Sequence, residues 1–122
     1  EFLKNYDIII SVPMYKKKKN QRGYNQSELI AREIAKKVKN IEYRSDILLK
    51  IKNTANQSLL NKEQRQENLK NAYEVKNKEY ISNKNILIFD DIYTTGSTAN
   101  ECSKMLVEAG ARSIGILTIA KD

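Results

Sequence analysis

Residues 86–98 of this 122-residue chain read ILIFDDIYTTGST, and this stretch decides the fold. The apolar run Ile86–Phe89 is continuous, which is typical of a strand buried on both faces of a parallel sheet. Asp90 and Asp91 follow where the backbone is predicted to leave that sheet, and a loop rich in hydroxyl groups comes next. Apolar side chains at helical spacing then predict a helix from about Ser97 to Ala109, and Gly110 is expected to end it. The stretch therefore predicts a strand, a polar loop and a helix in succession.

Further strand-sized apolar segments occur at residues 7–13, 46–51, 72–75 and 113–120. Residues 25–39 carry one apolar stripe and predict a second main helix. Residues 53–70 are almost wholly polar and indicate a mobile loop followed by a surface helix. This order of elements predicts a three-layer α/β domain with a mainly parallel sheet, and right-handed crossovers would pack both main helices against it. We expect residues 1–122 to form one domain.

The composition excludes several classes of protein. Apolar residues make up 40% and charged residues 30%, as in globular chains, and no run approaches the roughly 20 apolar residues of a membrane span. With no histidine and one cysteine, a zinc site or a His-activated nucleophile is not expected. Cys102 has helical spacing with apolar neighbours, so we interpret it as a core residue, the alternative being a reactive thiol. Without a secretory signal, the expected location is the cytoplasm.

Positive charge is concentrated in the first half of the chain. Residues 1–60 hold 13 Lys and Arg against six Asp and Glu, whereas residues 61–122 hold nine of each. Much of the excess lies between Lys16 and Arg22, in the loop predicted after Pro13. Such a loop suits a polyanion, either a nucleic acid or a small molecule rich in phosphate, and the alternative is a solvated surface run.

The polar residues after the central strand match the groups of a ribose 5-phosphate. Two adjacent carboxylates are costly to bury without partners, and the vicinal hydroxyls of a ribose are suitable donors to Asp90 and Asp91. A nest of hydroxyls and backbone N–H groups at a helix N-terminus attracts phosphate. That nest would consist of Thr94, Thr95, Gly96, Ser97 and Thr98. The alternative is an ordinary strand end and helix cap, since Thr98 and Glu101 have capping-box spacing.

With these residues the chain resembles the type I phosphoribosyltransferases, whose signature is an apolar strand, two acids, two variable residues and a Thr-Gly-Ser-Thr-like segment. Other segments resemble one branch, the ComF family, which is linked to bacterial DNA uptake. They are residues 22–26, residues 57–60, Arg65, Asn68 and residues 72–73. ComF proteins often carry an N-terminal four-cysteine zinc module, which is missing here and would fit a short or truncated form. Lys52 stands where the family pattern has Arg.

The resemblance implies a ligand and a division of roles. The ligand would be phosphoribosyl pyrophosphate. Asp90 and Asp91 would hold its ribose hydroxyls and act as the catalytic pair. Tyr93 and residues 94–98 would lie at the ribose and 5-phosphate. Arg22 and Lys52 would face the pyrophosphate, and residues 53–65 would act as a flexible lid. Alternatives remain: Arg22 as a solvated charge, Asn25 as a helix cap, and residues 53–65 as a surface linker.

The resemblance also implies Mg²⁺ as cofactor. The ion would be held mainly by the ligand rather than by direct protein ligation, with Asp90 or Asp91 acting through water. The expected activity is transfer of the phosphoribosyl group to an unknown acceptor, with pyrophosphate leaving. The alternative is a non-catalytic ligand-binding module, or a protein of DNA uptake that acts with single-stranded DNA or the uptake machinery. No membrane partner is expected, and a homodimer is among the assemblies left open.

Overall fold

A computed structural model describes residues 2–13, 26–51, 61–69, 72–93 and 97–121. The strands are β1 Ile8–Ser11, β2 Glu42–Tyr43, β3 Leu48–Lys50, β4 Tyr73–Val75, β5 Asn85–Tyr93 and β6 Ser113–Lys121. The helices are α1 Gln26–Lys37, α2 Lys62–Leu69 and α3 Ser97–Glu108, with 3₁₀ turns at Phe2–Asn5 and Lys78–Tyr80. None of the helices in these ranges has the length and apolar character that crossing a bilayer requires.

The central sheet consists of parallel strands in the order β2–β1–β5–β6. Ile8 of β1 pairs with Ile86 of β5, and Asn85 of β5 pairs with Ser113 of β6. In sequence, α1 connects β1 to β2 and α3 connects β5 to β6, which are the long connections that parallel pairs need. The apolar run of β5 thus lies in the middle of the sheet, as its continuous hydrophobicity predicts.

The core forms two clusters, one on each face of the sheet, because successive strand residues alternate between faces. One cluster joins the sheet to α3 and to β3 and β4, and includes Ile8, Ile10, Ile86, Ile88, Cys102 and Leu106. The other joins the sheet to α1, and includes Ile9, Ala31, Leu87 and Phe89. Full burial of one such Ile or Leu side chain contributes about 1.5–3 kcal/mol. With α1 and α3 on opposite faces, the three-layer, mainly parallel prediction is confirmed.

The end of α3 follows the sequence prediction. Gly110 has φ +113°, a backbone conformation that residues with a Cβ rarely adopt. Its N–H donates to the Val107 carbonyl at 3.0 Å, and the Ala111 N–H donates to the Leu106 carbonyl at 3.1 Å. These two bonds form a Schellman motif, which satisfies carbonyls left open at the end of the helix.

The segment at residues 46–51 does form a strand, but not in the central sheet. β3 pairs antiparallel with β4, with Lys50 opposite Tyr73, and these two strands make a separate sheet. The edge of the central sheet is instead β2, a two-residue strand that pairs with β1. No apolar run marks β2, because Glu42 is exposed and the pairing depends on backbone hydrogen bonds. Segment 72–75 is confirmed as a strand, and it forms β4.

The predicted surface helix after residue 60 is confirmed as α2, and its N-terminus has a reciprocal cap. The Gln64 N–H donates to Oδ1 of Asn61 at 2.8 Å, and the Asn61 N–H donates to Oε1 of Gln64 at 3.0 Å. This capping box satisfies two backbone donors that the helix itself cannot. The first part of the predicted lid, residues 53–60, lies outside the described residues, and residues 61–65 are the cap and first turn of α2.

Candidate active site

The sheet is stepped where the two acids occur, because β5 continues beyond its neighbour β1. Ser11, at the end of β1, pairs with Phe89, whereas β5 runs on to Tyr93. From Asp90 onward the described partner of β5 is β6, with Asp90 opposite Thr118 and Tyr93 opposite Lys121. The expectation that the backbone leaves the sheet at the two acids was therefore wrong. They lie within β5, since β6 is long enough to keep pairing with it, but beyond the end of β1.

Asp90 lies on the sheet face that packs against α3. Strand side chains alternate, so Asp90 shares a face with Ile86 and Ile88, which belong to the α3-side cluster. Its side chain is partly buried, and its negative charge contributes to raising the pKa of both Tyr73 and Cys102. One carboxylate of the predicted pair is thus close to the start of α3. Asp91 follows within the same strand.

The first turn of α3 contains no acidic residue. The N–H groups of a first turn have no partner within the helix, and the helix dipole adds partial positive charge there. Ser97 begins the helix, so Thr98 is inside the first turn and is not the N-cap residue that the capping-box alternative needs. Thr98 is partly buried. The chemistry of this turn is that of an anion site.

Tyr73 of β4 connects this turn to the second sheet. Its side chain is 4% exposed, and it interacts with the Thr98 side chain. Burial raises the pKa of Tyr73, and the charges of Cys102, Asp90 and Glu101 act in the same direction. The Tyr73 phenol therefore stays protonated across the physiological pH range. In the sequence, residues 72–75 indicated a strand and residues 72–73 resembled the ComF family, but neither observation gave Tyr73 a role at the site.

Cys102 is fully buried one turn further along α3. Burial raises the pKa of its thiol, the carboxylates of Asp90 and Glu101 add to that effect, and the ammonium of Lys50 opposes it. A thiol is nucleophilic as the thiolate, so a raised pKa makes this cysteine inert. The prediction that Cys102 is a core residue is confirmed.

Lys50 is a basic residue near the site that the sequence did not single out. It ends β3 opposite Tyr73, and its Nζ lies 6.0 Å from the centroid of the Tyr73 ring. The sequence prediction placed the basic group two residues later, at Lys52. Only the strand register shows that Lys50 lies beside Tyr73, because the pairing of β3 with β4 spans the long polar insertion.

Several predicted site residues lie outside the described part of the chain. They are Arg22, Lys52, Thr94, Thr95 and Gly96. Of the other predicted residues, Asp90, Asp91 and Tyr93 belong to β5, and Ser97 and Thr98 belong to α3. The structure thus brings Asp90 and Thr98 together around Tyr73, while the basic pyrophosphate-side residues stay predictions.

Comparison with known proteins identifies the family of the chain. A family model described as a phosphoribosyl transferase domain matches residues 24–122. Competence protein F of Haemophilus influenzae is 34% identical over 120 residues, which cover 98% of this chain and 52% of that protein. DNA utilization protein YhgH of Escherichia coli O157:H7 is 30% identical over 115 residues, which cover 94% of this chain and 49% of that protein. The chain spans about half the length of these curated relatives.

Among solved structures, a phosphoribosylpyrophosphate synthetase from Mycobacterium smegmatis has a similar fold. The TM-score is 0.58 at 14% sequence identity, and the match covers 97% of this chain and 28% of that one. At this identity the likeness concerns the fold alone. The family model, which matches more than three quarters of the residues, settles the classification. The chain belongs to the phosphoribosyl transferase domain family, and its similarity to Competence protein F groups it with the ComF members of that family.

Proposed function

We propose that this domain binds phosphoribosyl pyrophosphate with Mg²⁺ and transfers the phosphoribosyl group to an acceptor, with pyrophosphate as the leaving group. One observation carries the proposal: a carboxylate on β5 and the first turn of α3 meet around Tyr73, which interacts with both Asp90 and Thr98. A ribose 5-phosphate presents hydroxyl donors and a phosphate a few bonds apart, so it can engage both groups at once.

The ribose side of the site would consist of Asp90 and Asp91. Ionised carboxylates accept hydrogen bonds from the ribose 2- and 3-hydroxyls and fix the orientation of the ring. They also place negative charge near the anomeric carbon. When the bond from that carbon to the pyrophosphate oxygen breaks, the carbon gains positive charge, and nearby carboxylates favour this state over the neutral substrate.

The leaving pyrophosphate needs positive charge nearby, which basic side chains and Mg²⁺ would supply. Arg22 and Lys52 are the proposed protein contacts to the pyrophosphate. Mg²⁺ prefers oxygen ligands and is commonly bound through substrate phosphates with one or two carboxylates. Asp90 has the right donor chemistry for such a contact, and it is partly exposed toward the carboxyl end of β5. When bound, the ion would neutralise charge that develops on the departing pyrophosphate.

Calorimetry with phosphoribosyl pyrophosphate and MgCl₂ tests this proposal. The variant with both Asp90→Asn and Asp91→Asn should bind at least about tenfold more weakly, because each hydrogen bond to a charged group contributes about 1.5–3 kcal/mol. Glu79→Gln is the matched control, since it neutralises an exposed carboxylate in the Lys78–Tyr80 turn. Unchanged affinity in the double variant would refute the site assignment. Turnover is measured separately as pyrophosphate released in the presence of candidate acceptors.

A second candidate function is binding without turnover, in association with single-stranded DNA. The relatives named for competence and DNA utilization favour it. So does the net charge of +7, with Lys36, Lys37 and Lys39 exposed at the end of α1. Cationic side chains dominate nonspecific affinity for nucleic acids, and this affinity falls steeply with salt. An oligonucleotide titration by fluorescence anisotropy at low and high salt tests it, and the absence of binding at low salt would exclude it.

A further inference from the structure

Tyr73 contacts polar groups from two other elements although its own side chain is almost fully buried. At its hydroxyl end it interacts with the side chain of Thr98 in the first turn of α3. At its ring, the ammonium of Lys50 approaches to 6.0 Å from the centroid, a distance at which a cation is still attracted to an aromatic face. The ring belongs to the α3-side core cluster, so packing against that cluster restrains it.

Lys50 and Thr98 are brought to the same place by different parts of the fold. The β3–β4 register fixes Lys50 opposite Tyr73, and the Ile51 N–H donates to the Ala72 carbonyl at 2.8 Å next to that pair. Thr98 lies one turn before Cys102 on α3, and the Lys50 charge reaches the Cys102 thiol. A cation and a hydroxyl from separate elements therefore lie beside one tyrosine, at the start of a helix with no acid in its first turn.

We propose that Tyr73 is a positioning residue that holds Lys50 and Thr98 together, so that both bind the 5-phosphate of the ligand. This inference rests on the proposed function and adds two residues that the predicted site did not contain, Lys50 and Tyr73. A phosphate accepts hydrogen bonds from an ammonium and a hydroxyl, and the cation makes the contact stronger than a neutral pair would be. Tyr73 contributes by limiting the rotamers of both side chains, which lowers the entropy lost on binding.

Calorimetric titration of the whole chain with ribose 5-phosphate, and separately with Mg²⁺-pyrophosphate, tests the inference. Lys50→Met should weaken binding of ribose 5-phosphate by about tenfold or more, as expected for a lost charge-assisted hydrogen bond. Binding of Mg²⁺-pyrophosphate should change less than about twofold. Lys76→Met is the matched control, because Lys76 is an exposed lysine directly after β4 that pairs with Glu74.

Tyr73→Phe removes the hydroxyl and keeps the ring, so the core packing is retained. It should weaken ribose 5-phosphate binding roughly two- to tenfold, the range for one neutral hydrogen bond. Added to a Thr98→Val variant, Tyr73→Phe should not weaken the binding of ribose 5-phosphate further, because the Tyr73 hydroxyl acts through Thr98. A purely structural role for Tyr73 would instead lower affinity equally in both backgrounds. Tyr80→Phe, at a half-exposed tyrosine beside Arg44, is the control.

The outcomes separate the two proposals. If the wild type binds neither ribose 5-phosphate nor phosphoribosyl pyrophosphate, both the proposed function and this inference fail. If the wild type binds but Lys50→Met and Tyr73→Phe match their controls, only this inference fails. If Lys50→Met weakens Mg²⁺-pyrophosphate as much as ribose 5-phosphate, the assignment of Lys50 to the 5-phosphate is overturned.

Discussion

Ser11 at the end of β1 lies opposite Phe89 in β5, so Asp90 is the first residue of β5 to extend beyond β1. In open α/β sheets, ligands bind beyond the carboxyl ends of the strands. Among the described residues, β5 has β6 as its strand partner from Asp90 onward, whereas its pairing with β1 ends at Phe89. This step in the sheet gives Asp90 partial exposure directly after the fully buried Phe89.

Removal of Mg²⁺ should affect the two halves of the ligand differently. With EDTA, we expect phosphoribosyl pyrophosphate to bind at least about tenfold more weakly, because the charge of its pyrophosphate is no longer neutralised. Ribose 5-phosphate should keep its affinity, since the proposed contacts to it come from side chains and helix N–H groups. Calorimetry with and without EDTA measures both. Equal sensitivity of the two ligands would contradict a role for the ion at the pyrophosphate.

Gly115 of β6 has no space for a side chain. A Cβ at this position would lie 2.6 Å from Cζ of Tyr6, whose ring covers the strand there. We expect Gly115→Ala to lower the free energy of unfolding by about 1–3 kcal/mol, the usual cost of overpacking. Urea denaturation measures the change. The double variant Gly115→Ala with Tyr6→Ala should lose less free energy of unfolding than the sum of the two single losses, because removing the Tyr6 ring removes the clash. Additive losses would contradict this explanation.

Gly110 is required by the backbone conformation that ends α3. At φ +113°, we expect Gly110→Ala to destabilise the protein by roughly 1–2 kcal/mol, because a Cβ disfavours positive φ. Thermal unfolding followed by circular dichroism measures the loss. Asn100→Ala, at an exposed position of the same helix, is the control and should be neutral or slightly stabilising. A neutral Gly110→Ala would mean that the Schellman motif is not needed.

Cys102 and Ser103 are neighbours in α3 for which we expect opposite effects. Within the described residues, Oγ of Ser103 is buried without a hydrogen-bond partner, so Ser103→Ala should be neutral or stabilising. Cys102→Ser places a hydroxyl in a fully buried apolar site and should cost about 1–3 kcal/mol. Urea denaturation of both variants compares them directly. A destabilising Ser103→Ala would indicate that this hydroxyl has a partner in the folded protein.

The Arg44–Asp46 pair should make a small, pH-dependent contribution to stability. Its two hydrogen bonds, at 2.9 and 2.7 Å, hold the pKa of Asp46 below its ordinary value of 3.8. Because the pKa of Asp46 is lower in the folded protein than in the unfolded chain, the pair contributes fully above the ordinary value of 3.8. This contribution is lost as the pH falls through the lower, folded-state pKa. Asp46→Asn should therefore cost under about 1 kcal/mol at pH 7, because the pair is partly exposed.

Urea denaturation at pH 7 and at pH 3 checks this prediction, and the difference between wild type and Asp46→Asn should shrink at the lower pH. Glu33→Gln is the control, because Glu33 and Lys36 form a longer and more exposed ion pair at 3.7 Å. A difference that stays constant between the two pH values would show that the loss comes from packing rather than from the charge of Asp46.

The layered α/β fold, both main helices and the central strand could all be predicted from the sequence. A short, continuous apolar run such as Ile86–Phe89 is typical of a buried parallel strand. The apolar stripe of α1 has to be buried, and packing against a sheet buries it. The sequence also predicted that Gly110 ends α3 and that Cys102 is core, because both follow from local backbone and spacing rules. The motif at residues 86–98 was specific enough to indicate the family, which the match over residues 24–122 confirms.

Only the tertiary structure decided which strands become neighbours. β3 and β4 pair across a long polar insertion, and nothing local to DILLKI distinguishes that pairing from a place in the central sheet. For the same reason, the roles inferred for Lys50 and Tyr73 could not be read from their own segments. They come from strand register and from helix packing, which join residues distant in sequence. Local preferences set each element, whereas the contacts that assemble the candidate site depend on long-range pairing.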